Sequence, residues 1–528
     1  MSSDHDKYVL AIDLGTSGPK VAIATTRAEI LGYEFEETPL HLLPNGGAEQ
    51  DPDDWWNAIK TATHRLLYRN LVPIEDIVAI SCCTQYSGTV AIDKNGKHLM
   101  NAINWMDSRG APYIKQLVGG PIKVEGYGVG KLFNWLRLTG GIPQHAGKDS
   151  IAHILYIKHE RPDIYNDTYK FLEPMDYINQ RLTGKFAASG ITIGLHWVTD
   201  NRDIENIVYS DKLIRMTGID RGKLPDLKPS IGVLGTIKPD IAKELGLHDG
   251  VQVVMGTPDV HAAAVGSGAV RDYEAHLYIG TSTWFTCHVP FKKTDIFHNM
   301  AAMPSAIPGR YFVLNEQETS GACLAFLRDN ILYHQDELLQ EFDTTDVYKI
   351  FDKIAERTPA GSERLLFMPW LHGERTPIDD HLVRGGLFNL SLHHTRQHLI
   401  RAVFEGVAYN SRWLFECVEN FSKKRLDNIN IIGGGANSDV WCQIIADVFN
   451  RTIRQVKDPV NANARGAAVM AAVALGYITF DDFADRIEIE KTYTPNPENR
   501  EIYDDLYSVF LQVYKQNKKI YAHLNKRI

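Results

Sequence analysis

The sequence predicts an α/β protein of two similarly folded domains, each a mixed sheet flanked by helices, and three observations predict it. A strand, a Gly-Thr-Ser bend and a second strand occur twice. The first copy has strands at residues 8–12 and 20–25 around Asp13, Leu14, Gly15, Thr16, Ser17 and Gly18. The second has strands at 275–279 and 284–289 around Gly280, Thr281, Ser282 and Thr283. The 528 residues exceed what one hydrophobic core organises. In both halves, short apolar runs alternate with stretches of helical period.

Each element follows from its residues. The run 77–83 is a buried strand leading into Gln85, Tyr86 and Ser87, and residues 90–97 read as a hairpin turning at Asn95 and Gly96. Residues 253–255 form another apolar strand, broken by Gly256 and Pro258, and a helix of small residues follows over 261–268. In the second half, a helix over 395–417 sets Leu399, Val403, Val407 and Leu414 on one stripe. The strand 429–432 ends in Gly433, Gly434 and Gly435, and a helix over 440–449 follows, capped by Ser438 or Asp439. The apolar stretch 466–480 is shorter than the ~20 residues that span a bilayer and reads as a buried helix. The boundary falls near residue 262, giving domains 1–262 and 263–528, with no Pro/Gly/Ser linker to mark it.

Composition narrows the function. With 44% hydrophobic and 23% charged residues the chain is ordinary globular material, and a net charge of −9 without basic runs excludes nucleic acid and anionic membranes as partners. A small metabolite is expected instead. The six cysteines (Cys82, Cys83, Cys287, Cys323, Cys417 and Cys442) form no C-x-x-C pair and read as reduced core thiols. The N-terminus has no basic segment followed by an apolar one, so cytoplasmic residence is expected. A homodimer is left open.

The bends carry the chemistry. A Gly-Thr-Ser turn offers backbone N–H groups without a side-chain barrier and two hydroxyls, which suits a phosphate. One such turn is ordinary turn chemistry, but two between strands point to a clamp built from both halves. Asp13, beside the supposed phosphates, would be repelled unless Mg²⁺ lay between, which makes it a metal candidate; alone it would be an Asx-turn residue. Gly433, Gly434 and Gly435 permit close approach by a flat ligand, or form a plain tight turn. Asp259, after the strand at 253–255, would cap a helix on local evidence. Beside a nucleotide cleft it is the carboxylate a kinase uses to accept a hydroxyl proton. His261, Trp55, Trp56 and Trp105 read as core or cleft wall.

Several segments in order resemble the FGGY carbohydrate kinases, nearest their xylulokinase branch. They are residues 13–20 (DLGTSGPK), 49–56 (EQDPDDWW), 104–109 (NWMDSR), 255–268, 280–282, 373–377 (GERTP), 384–405 and 433–447. The resemblance implies two ribonuclease-H-like domains of the actin/hexokinase type closing on ATP and a sugar. By position Asp259 is similar to the family's catalytic base and Asp13 to its Mg²⁺-associated carboxylate. Gly15, Thr16, Ser17, Lys20, Gly280, Thr281 and Ser282 resemble the phosphate-hairpin residues, and Gly321, Gly434, Gly435 and Asp439 the nucleoside-facing ones. Gln85, Tyr86, Ser87 and Asp107, with Asp259, are expected to face the sugar.

The chain departs from the family where the sugar should lie. Thr84, Gln85, Tyr86, Ser87 and Gly88 stand where xylulokinases show Gly-Gln-Met-His-Gly, His153 stands where a lysine is common, and Asn389 replaces a glycine. The expected function is ATP- and Mg²⁺-dependent phosphorylation of a sugar or polyol hydroxyl, a ketose such as D-xylulose first. The rival readings are an actin- or chaperone-like ATPase and a non-catalytic sugar-binding regulator on the same scaffold.

Overall fold

A computed structural model describes residues 6–332 and 346–526. Strands β1 (Tyr8–Gly15), β2 (Gly18–Thr25), β3 (Ile30–Phe35), β4 (Ile77–Thr84), β5 (Val233–Thr236) and β6 (Gln252–Pro258) form one sheet in the order β5-β6-β4-β1-β2-β3. A second sheet holds β7 (Ala275–Ile279), β8 (Thr283–Val289), β9 (Thr294–Asp295), β10 (Met300–Pro304), β11 (Tyr311–Leu314), β12 (Asn428–Ile432), β13 (Thr452–Val456) and β14 (Ile489–Tyr493). Its order is β9-β10-β11-β8-β7-β12-β13-β14.

The two sheets repeat one plan. β1, β2 and β3 run antiparallel, and β4 and then β6 add in parallel on the other side of β1. Likewise β7, β8 and β11 are antiparallel while β12 and β13 add in parallel, and β5 and β14 close the far edges antiparallel. The two Gly-Thr-Ser bends therefore occupy equivalent places, which is the duplication the sequence predicted.

Alternation along β1 decides what faces the second half. Leu10, Ile12 and Leu14 pack with Trp55, Trp56 and Ile59 of helix α1 (Pro52–Tyr68). Val9 and Ala11 point the other way, and Asp13 shares their side by the two-residue period of a strand. The partner on that side comes from the far half of the chain. Helix α2 (Asp259–Gly266) leaves the first sheet but packs through Val260 and Ala263 on Trp284, Ile432 and Val456 of the second. Helices α3 (Gly321–Asn330), α4 (Arg396–Ser422) and α5 (Asp439–Phe449) belong to the second half, and α6 (Ala462–Ala474) covers Val9, Ala11 and Ala79 of the first sheet.

Helices α2 and α6 cross in close contact. A Cβ on Gly266 would lie 1.8 Å from the Ala462 carbonyl oxygen, and one on Gly466 2.0 Å from that of Ala262. Small residues at both places let the halves meet backbone to backbone.

Some sequence expectations change. The hairpin predicted over 90–97 keeps its turn, with Gly96 N–H donating to Asp93 O at 3.1 Å, but its return arm makes only the isolated bridge between Ile92 and His98. The strand Val90–Ile92 pairs instead with Lys170–Leu172, a long-range partner that a local turn signal does not reveal. The helix predicted to end at 417 continues to Ser422, and the buried stretch after 466 begins its helix at Ala462. No disulfide joins the cysteines, and five of the six are buried. Among the described residues no helix is long and apolar enough to cross a membrane.

Candidate active site

The centre of the site is where β1 and β6 end and the second half comes over them. Asp13 lies opposite Cys83 in β4, which lies opposite Thr257 in β6, so Asp13 and the residue after Pro258 emerge at the same end of the sheet with β4 between them. The Asp13 carboxylate has only long contacts, accepting from Cys83 Sγ and from Asn463 Nδ2 of α6, both at 3.5 Å. Burial pushes its carboxyl above the usual range, offset in part by Lys20, its cross-strand neighbour.

Asp259 opens α2 but does not cap it, because Pro258 occupies the cap position. Its Oδ1 accepts from Val260 N–H at 2.8 Å, which leaves Oδ2 for another partner. Burial, then the charges of Asp13 and Glu316, pushes the Asp259 carboxyl up to about 8. Asp259 thus feels the negative charge of Asp13 from the first half and of Glu316 from the second, which favours its protonated form.

The first bend is held tightly. Gly18 has φ +139°, and a Cβ there would lie 2.0 Å from the Glu36 carbonyl oxygen, so only glycine fits. Gly15 pairs with Gly18 across the bend and Ser17 is exposed at its tip. Thr16 turns its hydroxyl toward the residues expected to face the sugar, donating to Gln85 Oε1 at 3.0 Å and accepting from Trp105 Nε1 at 2.9 Å. The Lys20 ammonium donates to the Val460 carbonyl, tying the first bend to the second half.

At the second bend, Thr281 is exposed and Ser282 hydrogen-bonds the carboxylate of Glu316, helping to hold its charge. Gly280 lies under two other predicted residues. Gly321 N–H donates to Gly280 O at 2.8 Å, and the loop Gly433, Gly434 and Gly435 folds onto Ile279, with Gly434 open to solvent. Asp439 stands apart from this cluster. Its carboxylate takes the Lys491 ammonium and the Tyr493 hydroxyl, the latter at 2.7 Å, and Ser438 is the cap of α5.

The predicted sugar side is a closed polar network. Gln85 is buried, accepting from Thr16 and from Asn104 Nδ2 at 2.8 Å and donating to Gln50 Oε1 at 2.8 Å. The Tyr86 hydroxyl donates to Ile191 O at 2.8 Å, and Ser87 Oγ donates to Lys148 O at 2.7 Å. Asp107, expected to face the sugar, is already engaged by protein donors. It is wholly buried, and its oxygens accept from Ala48 N–H, Arg109 N–H and Arg109 Nε at 2.8–2.9 Å, so its carboxylate braces a turn. His153 is likewise buried, at 3.2 Å from Thr89 Oγ1, and burial pushes it down to about 4, so it stands neutral where a lysine would be charged. Trp55, Trp56 and His261 are core, and Trp105 lines the cleft.

Four side chains without an assigned role complete the cleft. Lys148 of the first half reaches Glu318 Oε1 of the second at 3.4 Å. Arg375 contacts Glu318 at 3.1 Å, pairs with Glu316, and lies 5.7 Å above the Trp105 ring. Burial alone would raise the Glu318 carboxyl, but Arg375 and Lys148 outweigh it and hold it at about 2. The signal for Arg375 was its place among residues 373–377. For Glu316 and Glu318 it was the alternation with buried Asn315 and Gln317 after β11.

Known proteins share this fold. The chain is 29% identical to a xylulose kinase of Staphylococcus epidermidis, with 98% of each covered, and 26% identical to a gluconokinase of Bacillus subtilis, with 98% and 97% covered. The crystal structure of a gluconate kinase from Lactobacillus acidophilus superposes with a TM-score of 0.84 at 24% identity, over 98% of this chain and all of that one. Residues 8–266 match the N-terminal domain of the FGGY family of carbohydrate kinases and residues 275–475 its C-terminal domain. Two sheets of one plan with paired bends are thus the frame of a phosphotransferase acting on sugar hydroxyls, and the chain belongs to the FGGY family of carbohydrate kinases.

Proposed function

We propose that this kinase transfers the γ-phosphoryl group of ATP to a hydroxyl of a neutral sugar or polyol, a ketose such as D-xylulose first, with Asp259 as general base. The setting of Asp259 supports this reading most directly, with Val260 N–H on one oxygen and the charges of Asp13 and Glu316 acting on the carboxyl. Asp259 Oδ1 is anchored by Val260 N–H, so the substrate proton passes to Oδ2 as the hydroxyl oxygen attacks phosphorus.

Asp13 is the residue that would hold Mg²⁺. Its carboxylate has only weak protein contacts, and Asn463 Oδ1 beside it is buried without a partner, a donor set that suits a hard cation and its water. A bound Mg²⁺ would neutralise charge on the phosphates. Gly15, Thr16, Ser17, Lys20, Gly280, Thr281 and Ser282 would surround the phosphates, and Gly321, Gly434 and Gly435 the nucleoside. We take residues 1–262 as the sugar-binding domain and 263–528 as the nucleotide-binding one. The Lys148–Glu318 pair and the Arg375–Trp105 contact join the two over the cleft, keeping water from the phosphoryl group.

Charge favours a neutral substrate over an aldonate. The cations Lys148 and Arg375 are already matched by Glu318 and Glu316, which leaves no unmatched positive charge among them for a substrate carboxylate, and Asp13 would repel one. Gln85, Tyr86 and Ser87 then act by shaping the pocket. The experiment is ADP release from purified protein with ketoses, polyols and gluconate, in wild type and Asp259→Asn. Sugar-dependent release that falls at least 10²-fold in the variant is expected. A wild-type kcat in Asp259→Asn would remove the base assignment, and preference for gluconate would overturn the neutral-substrate reading.

A further inference from the structure

A cavity of about 610 Å³ lies in the first half, lined by none of the candidate active-site residues. This is within the ~300–1,000 Å³ typical of small-molecule sites. It opens between the edge strand β5 and the parallel pair Ala187–Ser189 and Asp226–Lys228. Its floor is apolar, made by Ala187, Leu234 and Met255, which pack as a small cluster of their own. One wall is aromatic, with Tyr169 and Phe186 edge to face at 5.0 Å between ring centres.

The rim is basic. Lys170, Lys185 and Lys228 border the cavity with a single carboxylate, Asp226, so its local charge is about +2 in a chain whose net charge is −9. Lys170 Nζ is positioned by the carbonyls of Gly222 and Leu224, at 2.8 and 2.7 Å, and Lys185 Nζ by that of Leu234 at 2.5 Å. Neither has an anionic partner in those bonds, and each keeps N–H groups to donate. Among the described residues Lys228 has no hydrogen bond or ion pair. The ordinary surface lysine pairs with a carboxylate or extends into water. Here carbonyls hold two of them at the mouth of a cavity with an apolar floor.

We propose that this cavity is a second binding site, apart from the kinase cleft, for a phosphate monoester bearing a flat or apolar group. The dianion, which carries about −1.5 to −2 at neutral pH, matches the rim charge. The apolar group lies on Met255 and Leu234 against the Phe186 ring.

Phenyl phosphate is the probe, titrated calorimetrically into the full chain with MgADP saturating, so that the nucleotide site does not contribute. Saturable binding at one site is expected, at least tenfold tighter than for phenol or for inorganic phosphate. In Lys185→Glu/Lys228→Glu the affinity should fall at least tenfold, while Tm and sugar-dependent ADP release stay at wild-type values, and Lys185→Arg/Lys228→Arg should retain binding. Absence of saturable binding, equal affinity for phenol or inorganic phosphate, or binding that survives the charge reversal would each overturn the proposal.

Discussion

The rate constant kcat/KM for MgATP, measured at saturating sugar, should rise about tenfold between pH 7 and pH 9 if Asp259 is the base. With its carboxyl held at about 8, roughly one-tenth of the protein carries the ionised base at pH 7 and about nine-tenths at pH 9. This constant is the one to measure, because it reports the nucleotide-free enzyme, where no bound cation offsets the burial and the Asp13 and Glu316 charges. Asp13→Asn should move the limb to lower pH by removing one of those charges, whatever it does to the rate itself. The same shift makes stability fall with pH. The folded carboxyl sits above its unfolded value, so its contribution is fully present below about 4 and is lost as pH rises through about 8. Asp259→Asn should flatten that slope in urea midpoints taken from pH 5 to 9. A kcat/KM profile flat from pH 6 to 9, or an unchanged limb in the residual activity of Asp259→Asn, would refute the reasoning.

Three further outcomes are expected. Asp13→Ala should raise the Mg²⁺ concentration needed for half-maximal turnover while sugar binding changes much less; an unchanged Mg²⁺ titration would count against its role. Gly266→Ala should lower Tm, because its Cβ would lie 1.8 Å from Ala462 O and the crossing helices must part, at a cost of about 1–3 kcal/mol in denaturation. Tyr86→Met/Ser87→His should change the ranking of ketoses and polyols by kcat/KM. The change removes the bonds to Ile191 O and Lys148 O and leaves those carbonyls to find new partners, about 1–3 kcal/mol each; an unchanged ranking would place specificity elsewhere.

Much of this was legible before any coordinates. Local pattern placed both bends, because a strand pair with a Gly-Thr-Ser turn is written within about 18 residues and glycine at position 18 is required by the backbone itself. The two-residue period of β1 likewise puts Asp13 on the face away from Leu10, Ile12 and Leu14. Asp259 sits in a strand-turn-helix setting where Asp as cap and Asp as base look alike in the sequence; the structure gives the cap to Pro258.

The sequence by itself thus determined the two-domain α/β plan, the duplicated bends, and Asp13 and Asp259 near the ends of their strands, since each rests on neighbours in the chain. Tertiary structure alone decided what meets across the cleft. Lys148 and Glu318 are 170 residues apart, and Asp13 and Asn463 450 apart, and no local period records such a pairing. It also decided which polar residues are already committed. The oxygens of Asp107 accept from Ala48 and Arg109, partners that the sequence does not announce, because the donors a carboxylate meets are those that folding brings to it.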